Sequence, residues 1–320
     1  MKQITLNWVL AHEPYHVFIK AAKSFAAEVA AETNGEYKIN VISLDEWNDL
    51  AKHNLTTHTT DRNKILDLVD NGTIDLATVY ASALGGIDSD MYSLAMPFLF
   101  NDHDEASNVI DGKIGQHMLA KIADKSNIRG LVFTYSGGFK IIPSKNVIET
   151  LEDFYRLNLS CSNNPVSIGT LNAVGANPVP TFIEDITKKL VSGEIVGGET
   201  TYTRYLILEQ DKHTNYINDT EHSLFLTSLI INKQLWLSLG EKVQQVFATA
   251  AMRAAKIERE ESLADNVVVE EQARRQGIST IRMTAKEKAK MVAATKGLYS
   301  SLDSYFSPGL LNQIVDGKKG

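Results

Sequence analysis

The chain has 320 residues, of which 43% are hydrophobic and 22% charged, with a formal net charge of −7. That length exceeds one small core and predicts two lobes, and the acidic balance argues against the basic face that nucleic-acid binding needs. A single cysteine, Cys161, excludes an internal disulfide, and no apolar run approaches the ~18 residues that span a bilayer.

Residues 3–10 alternate loosely and predict a strand. Val17, Phe18, Ala21, Ala22, Phe25, Ala26, Val29 and Ala30 then recur at helical spacing, and Asn34-Gly35 stops that helix. EYKINVI (36–42) reads as a strand, and 45–60 as a polar stretch containing Trp47. DRNKILDLVDNG (61–72) is a short helix closed by Gly72, and TIDLATVY (73–80) is a buried strand. The order β-α-β-α-β implies a mostly parallel sheet covered by helices. A Gly-containing loop leads into YSLAMPFLF (92–100). Residues 103–127 read as helix and IRGLVFTY (128–135) as strand.

The stretch from Leu151 to Glu199 is denser. It predicts a short helix, a strand, a helix, a turn at Gly175–Pro180, a third helix and a second strand. Strand ends and loops crowd together there, where an α/β protein places its ligand. HSLFLTSLIIN (222–232) is another apolar strand. Residues 233–275 are helical with a turn near Gly240, and 284–302 and 308–315 are C-terminal helices. Composition marks no boundary, which fits lobes whose chain crosses back and forth.

Chemical motifs are sparse. Gly85-Gly86, Gly137-Gly138 and Gly197-Gly198 give neither GxGxxG nor GxxxxGK[ST], and read as turns or close backbone contacts. HExxH and GxSxG do not occur. His12 and His16 lie four apart and read as surface or pocket-rim histidines rather than a metal grip. Glu258, Glu260 and Glu261 with Arg253, Lys256 and Arg259 read as the solvated face of the long helix. Glu184 and Asp185 suit a helix N-terminus. No nucleophile–base pair stands out.

Several segments together resemble the DctP-like extracytoplasmic receptors of TRAP transporters. They are FAAEVAAETNGEYKINV, LVDNGTIDLATVYAS, LAMPFLFNDHDEA, GGFKIIPSKNVIETLEDF, GANPVPTFIEDITKKLVSGEIVGGE and INKQLWLSLGEKVQQVFATAA. They run in the family's order from about Leu6 to Ala250, and MPFLF, GANPVP and SGEIVGGE are the most specific. The resemblance implies a two-lobed α/β fold of the periplasmic-binding-protein kind (type II-like). Each lobe would be a central β-sheet flanked by helices, with a long helix bridging the two. Lobe I would hold 1–131 plus 217–255, and lobe II 132–216 plus 256–320. It further implies a receptor rather than an enzyme, a monomer binding one small solute by hinge closure and delivering it to membrane permease subunits. No cofactor or metal is expected. Such receptors are exported to the periplasm, so Met1 would stand where a leader has been removed.

One departure bears on the ligand. The family pattern carries an Arg in the strand after its "eDl" segment, suited to a two-pronged pair with a carboxylate. Ser160 falls at that position, Asn158 at the usual Lys and Arg156 at the usual Gly. A second family Arg is Lys140 here. Three ligand classes follow: an acid or sulfonate paired with Lys140; a neutral polar molecule; or a cation met by Glu13 or Glu199 and by rings such as Trp8, Tyr80, Tyr202 or Tyr216.

Candidate pocket residues follow from position. His12, Glu13 and Tyr15 lie in the first strand–helix loop, and Tyr80 and Ser82 follow the third strand. Phe139 and Lys140 begin the second lobe's segment. Ser160, Ser162 and Asn163 end its strand, and Asn177 sits in the expected turn. Glu199, Thr200 and Thr203 follow the last strand, and Tyr216 closes one side. The rival readings are an α/β lyase or hydrolase using Glu13 or Glu199 as base, and a ligand-sensing partner of a membrane sensor kinase.

Overall fold

Alternation in ITLNWVL buries Leu6, Trp8 and Leu10, and the helix Tyr15–Glu32 turns Val17, Phe18, Ala21, Ala22, Phe25 and Val29 inward against them. A computed structural model of the chain describes residues 3–11, 15–55 and 59–319, and for 59–63 the backbone only. Its strands are β1 (Ile4–Leu10), β2 (Tyr37–Ser43), β3 (Leu76–Tyr80), β4 (Ile128–Phe139), β5 (Ile142–Ser144), β6 (Asn158–Cys161), β7 (Asn177–Pro180), β8 (Gly197–Gly198), β9 (Tyr216–Asp219), β10 (Leu224–Asn232) and β11 (Ser279–Arg282). They form two sheets, ordered β2-β1-β3-β10-β4 and β11-β9-β5-β8-β6-β7.

The chain divides into two compact units. One is Met1–Met91, Ser107–Tyr135 and Leu226–Glu261; the other is Tyr92–Ala106, Ser136–Phe225 and Ser262–Gly320. In the first unit β1 runs parallel to β2, Ile4 opposite Tyr37, and parallel to β3, Trp8 opposite Leu76. β10 is antiparallel to β3, with Leu229 opposite Thr78. The core stacks edge to face: Trp8 meets Phe25 at 5.2 Å, and Phe25 meets Phe247 at 5.6 Å. Trp8 therefore belongs to this core, its indole N–H donating to Thr78 Oγ1 at 3.0 Å.

In the second unit β6 is the parallel neighbour of both β7 and β8, while β5 is antiparallel to β8 and β9. β8 is two glycines long because its neighbours leave no room. A Cβ on Gly197 would lie 2.3 Å from the Pro143 carbonyl oxygen, and one on Gly198 only 1.7 Å from Ser160 Oγ. Leu159 and Cys161 point into an apolar core with Phe154 and Leu171.

Several expectations are corrected. Of the segment Gly175–Pro180, expected as a turn, only Gly175 lies in one; Asn177–Pro180 is the edge strand β7. Asn177 and Thr181 donate their N–H groups to the Leu157 and Cys161 carbonyls, so the intervening Pro178 and Pro180 present their nitrogens outward, where a missing donor costs nothing. The polar stretch 45–60 contains a helix, Leu44–Ala51, opened by a reciprocal Ser43–Glu46 capping box. Residues 103–127 form two helices, His103–Ile110 and Lys113–Lys125, parted at Asp111-Gly112. The turn expected near Gly240 is present (φ +72°), dividing Lys233–Ser238 from Gly240–Arg275, which runs on for 36 residues. Residues 92–106, expected with lobe I, belong to the second unit. There Phe98 N–H donates to the His222 carbonyl, and the Pro97 carbonyl accepts from the Tyr299 hydroxyl. Finally, Glu258 and Arg259 are buried, not on a solvated face.

Candidate functional site

Lys140 follows β4 directly, and Glu199 follows β8 directly. The antiparallel contact of Ile141 with Thr200 holds the two segments side by side. Their side chains meet in a buried ion pair, Nζ to Oε2 at 3.0 Å, with 5% and 4% of each exposed. The Lys140 ammonium also donates to Ser167 Oγ at 3.3 Å. Ser167 stands in the first turn of the helix Pro165–Ala173, which Asn164 caps by accepting the Ser167 N–H. The other Glu199 oxygen, Oε1, lies 2.9 Å from Nε2 of His222, which is fully buried.

The partners fix the charges. Burial pushes Glu199 toward its neutral form, but Lys140 and the His222 hydrogen bond outweigh it and hold the carboxyl at about 2. Burial dominates at His222 and lowers it below the usual imidazole range. His222 is therefore neutral: Nε2–H donates to Glu199, and Nδ1 accepts from the Thr220 hydroxyl at 2.7 Å. The sum over Lys140, Glu199 and His222 is zero. Lys140 is already compensated from within the protein, and its third N–H has no partner among the described residues.

Cys161 shares this side of β6. Burial first, then the Glu199 charge, push its thiol up to about 12, so it is unreactive. Strand alternation turns the Ser160 side chain to the opposite face, over Gly198. Ser160 still reaches Glu199 through its backbone, its carbonyl accepting the Glu199 N–H at 2.9 Å. Thr200 is 3% exposed, and its hydroxyl has no hydrogen-bond partner among the described residues. Thr203 is buried beside Thr201, and both pack against Gly137 (φ +89°), where a Cβ would fall 2.4 Å from Thr201 Cβ.

A family model described as bacterial extracellular solute-binding protein, family 7 (DctP), matches residues 10–304. The chain belongs to that family. The resemblance seen in its segments is thereby borne out. A solute-binding protein from Chromohalobacter salexigens is 28% identical over 248 residues, 78% of this chain and 70% of that protein. The 2,3-diketo-L-gulonate-binding periplasmic protein YiaO of Escherichia coli is 23% identical over 261 residues, 82% of this chain and 76% of YiaO. In fold, the chain is similar to a TRAP periplasmic solute-binding protein from Haemophilus influenzae with bound L-gulonate. The TM-score is 0.84 at 22% identity, covering 98% of each chain.

For a family-7 chain, the remaining residues singled out by sequence are widely spread. His12 and Glu13 lie outside the described residues. In the first unit Tyr15 opens its helix and is exposed, Tyr80 ends β3, and Ser82 lies in the short helix after it. In the second unit Phe139 packs on the His103 ring at 4.8 Å. Ser162 is half-buried and Asn163 exposed. Asn177 is exposed on β7, its amide donating to the Arg156 carbonyl and to Asn158. Tyr216 begins β9, opposite Ser144. Arg156 is exposed and takes φ +60° in the turn before β6, a value glycine would hold at less cost. Tyr202 donates to Asp219, which fixes its hydroxyl within the unit. Sequence reasoning missed His222 and Ser167, which complete the set around Lys140 and Glu199. A histidine two places before β10 and a serine behind an Asn-Pro helix start were the only signals.

Proposed function

We propose that this family-7 chain is the extracytoplasmic receptor of a TRAP transporter, binding one small polyhydroxylated organic acid and delivering it to membrane permease subunits. The family match over residues 10–304 carries the receptor reading. The acid class is suggested by YiaO and by the L-gulonate-bound relative, whose names specify sugar acids. The proposed place of work is the periplasm; no helix among the described residues is long and apolar enough to cross a membrane. The two compact units are the proposed lobes. In the second, Thr200 and Lys140 are the foremost proposed contacts, because each retains an unused hydrogen-bonding group.

One observation favours a second ligand class. Lys140 is neutralised by Glu199, and Ser160 brings no charge, so the set suits a neutral polyol as well as an acid. Thermal stabilisation of the purified protein by a panel of aldonates, uronates, sulfonates, amines and matched neutral sugars tests both readings. The acid reading requires stabilisation by a sugar acid and none by its neutral counterpart. Stabilisation by neutral sugars alone selects the second reading, and silence across the panel counts against both.

A further inference from the structure

The long helix turns Phe247, Ala250, Ala251, Ala254 and Ala255 into the first unit's core. One turn further on, the same stripe continues with Glu258, which is 1% exposed. One of its oxygens, Oε2, accepts the Tyr135 N–H at 2.7 Å; the other, Oε1, is buried with no partner among the described residues. The adjacent Arg259 offsets burial at Glu258 only in part, for it is engaged elsewhere. Arg259 spends its guanidinium on Asp111 at 2.6 Å, on Ser107 at 3.3 Å and on the Ala255 carbonyl at 3.2 Å. A buried carboxylate that lacks a full counter-charge is expensive, and such a group neutralises itself instead.

Glu258 also borders a cavity of about 20 Å³ whose lining is almost wholly apolar, surroundings that stay dry and do not solvate a charge. Thr78 and Thr134 border the same cavity, but their hydroxyls are engaged with Trp8 and Thr227. From β4 the titratable neighbour is the Tyr135 phenol, and from the helix it is Arg259, with Asp111 behind it. β1, β3, β10 and the helix Tyr15–Glu32 contribute Trp8, Thr78, Leu229 and Phe18 to the lining, none of them titratable in this range.

We propose that Glu258 is a proton-binding site in the first unit's core, carried as the neutral acid at neutral pH beside a small apolar cavity. Folding then takes up one proton from solvent, which ties the stability of this receptor to the acidity of its surroundings. The sign follows from a carboxyl raised by burial. Its contribution is complete below the ordinary carboxyl range and is lost as pH rises through the folded value.

The test compares thermal unfolding of the wild type and Glu258→Gln across pH. Gln keeps the shape, the acceptor for Tyr135 and a donor in place of the acid's O–H, but cannot ionise. Relative to Gln, the wild type should lose up to tenfold in its folding constant per pH unit above the ordinary carboxyl range. Parallel curves for the two proteins would overturn the proposal. Infrared spectroscopy of the folded wild type at neutral pH gives an answer even if the variant does not fold. A protonated-carboxyl carbonyl band is expected, and its absence is equally decisive against the site.

Discussion

The Lys140 ammonium stands 3.0 Å from the Glu199 carboxylate, and each neutralises the other inside the second unit. Removing one partner strands a buried charge, at a cost of about 3–5 kcal/mol. Lys140→Met and Glu199→Gln should each lower the urea midpoint accordingly. Lys140→Met with Glu199→Met, which removes both charges at similar volume, should recover most of the loss. A double variant no more stable than either single one would show that the pair matters for its hydrogen bonds and shape rather than for charge balance.

Acid should weaken the second unit in two stages. His222 is lowered by burial, so its contribution is present above the usual imidazole value, about 6.5, and erodes as pH falls below it because the unfolded chain takes a proton that the folded one refuses. Glu199 is held at about 2, so its contribution is present above the ordinary carboxyl range and is lost as pH falls toward that value. Melting temperature against pH should therefore show an early decline that His222→Gln lacks, and a later one common to both proteins.

The Ser160 hydroxyl occupies the space that a side chain on Gly198 would need. Gly198→Ala would put its methyl 1.7 Å from that oxygen and 2.6 Å from the Ser160 carbonyl. Overpacking of this kind costs about 1–3 kcal/mol. Adding Ser160→Gly relieves the first clash but not the second, so chemical denaturation should show partial recovery only. Complete recovery would mean that the backbone contact yields freely.

Thr200 separates stability from binding. Thr200→Val keeps the shape and removes a buried hydroxyl that has no partner among the described residues, so stability should hold or rise. If that hydroxyl meets the solute, affinity falls about tenfold, the worth of one good hydrogen bond. Calorimetric titration with the best ligand from the panel, beside the melting curve of the free variant, reads both quantities.

Much of this architecture was legible in the residues. The inward stripe from Val17 to Val29 and the stop at Asn34-Gly35 set the first helix, and three apolar runs separated by helices set a parallel sheet. The edge strand β7 was not legible, because its alternating prolines also spell a turn; only the hydrogen bonds from Asn177 and Thr181 decide between them. The helix at Leu44 had a visible sign, Ser43 three places before Glu46, obscured by the polar composition that follows. β8 is too short for any periodicity to show. Of the polar set, Lys140 and Glu199 were singled out by position, whereas His222 lies 23 residues from Glu199 and is brought to it by the path into β10. Glu258 carries the opposite lesson. Its charged neighbours predict solvent, yet its place in the alanine stripe puts it in the core.

The two prolines of β7 also govern what this protein does in company. A sheet margin normally offers a row of N–H groups on which another chain can lay a strand. Here Pro178 and Pro180 fall where that row would point outward. The margin cannot template a growing sheet, so concentrated receptor should resist end-on stacking into fibrils from that side. Valines at both positions would restore the row and invite strand-to-strand assembly.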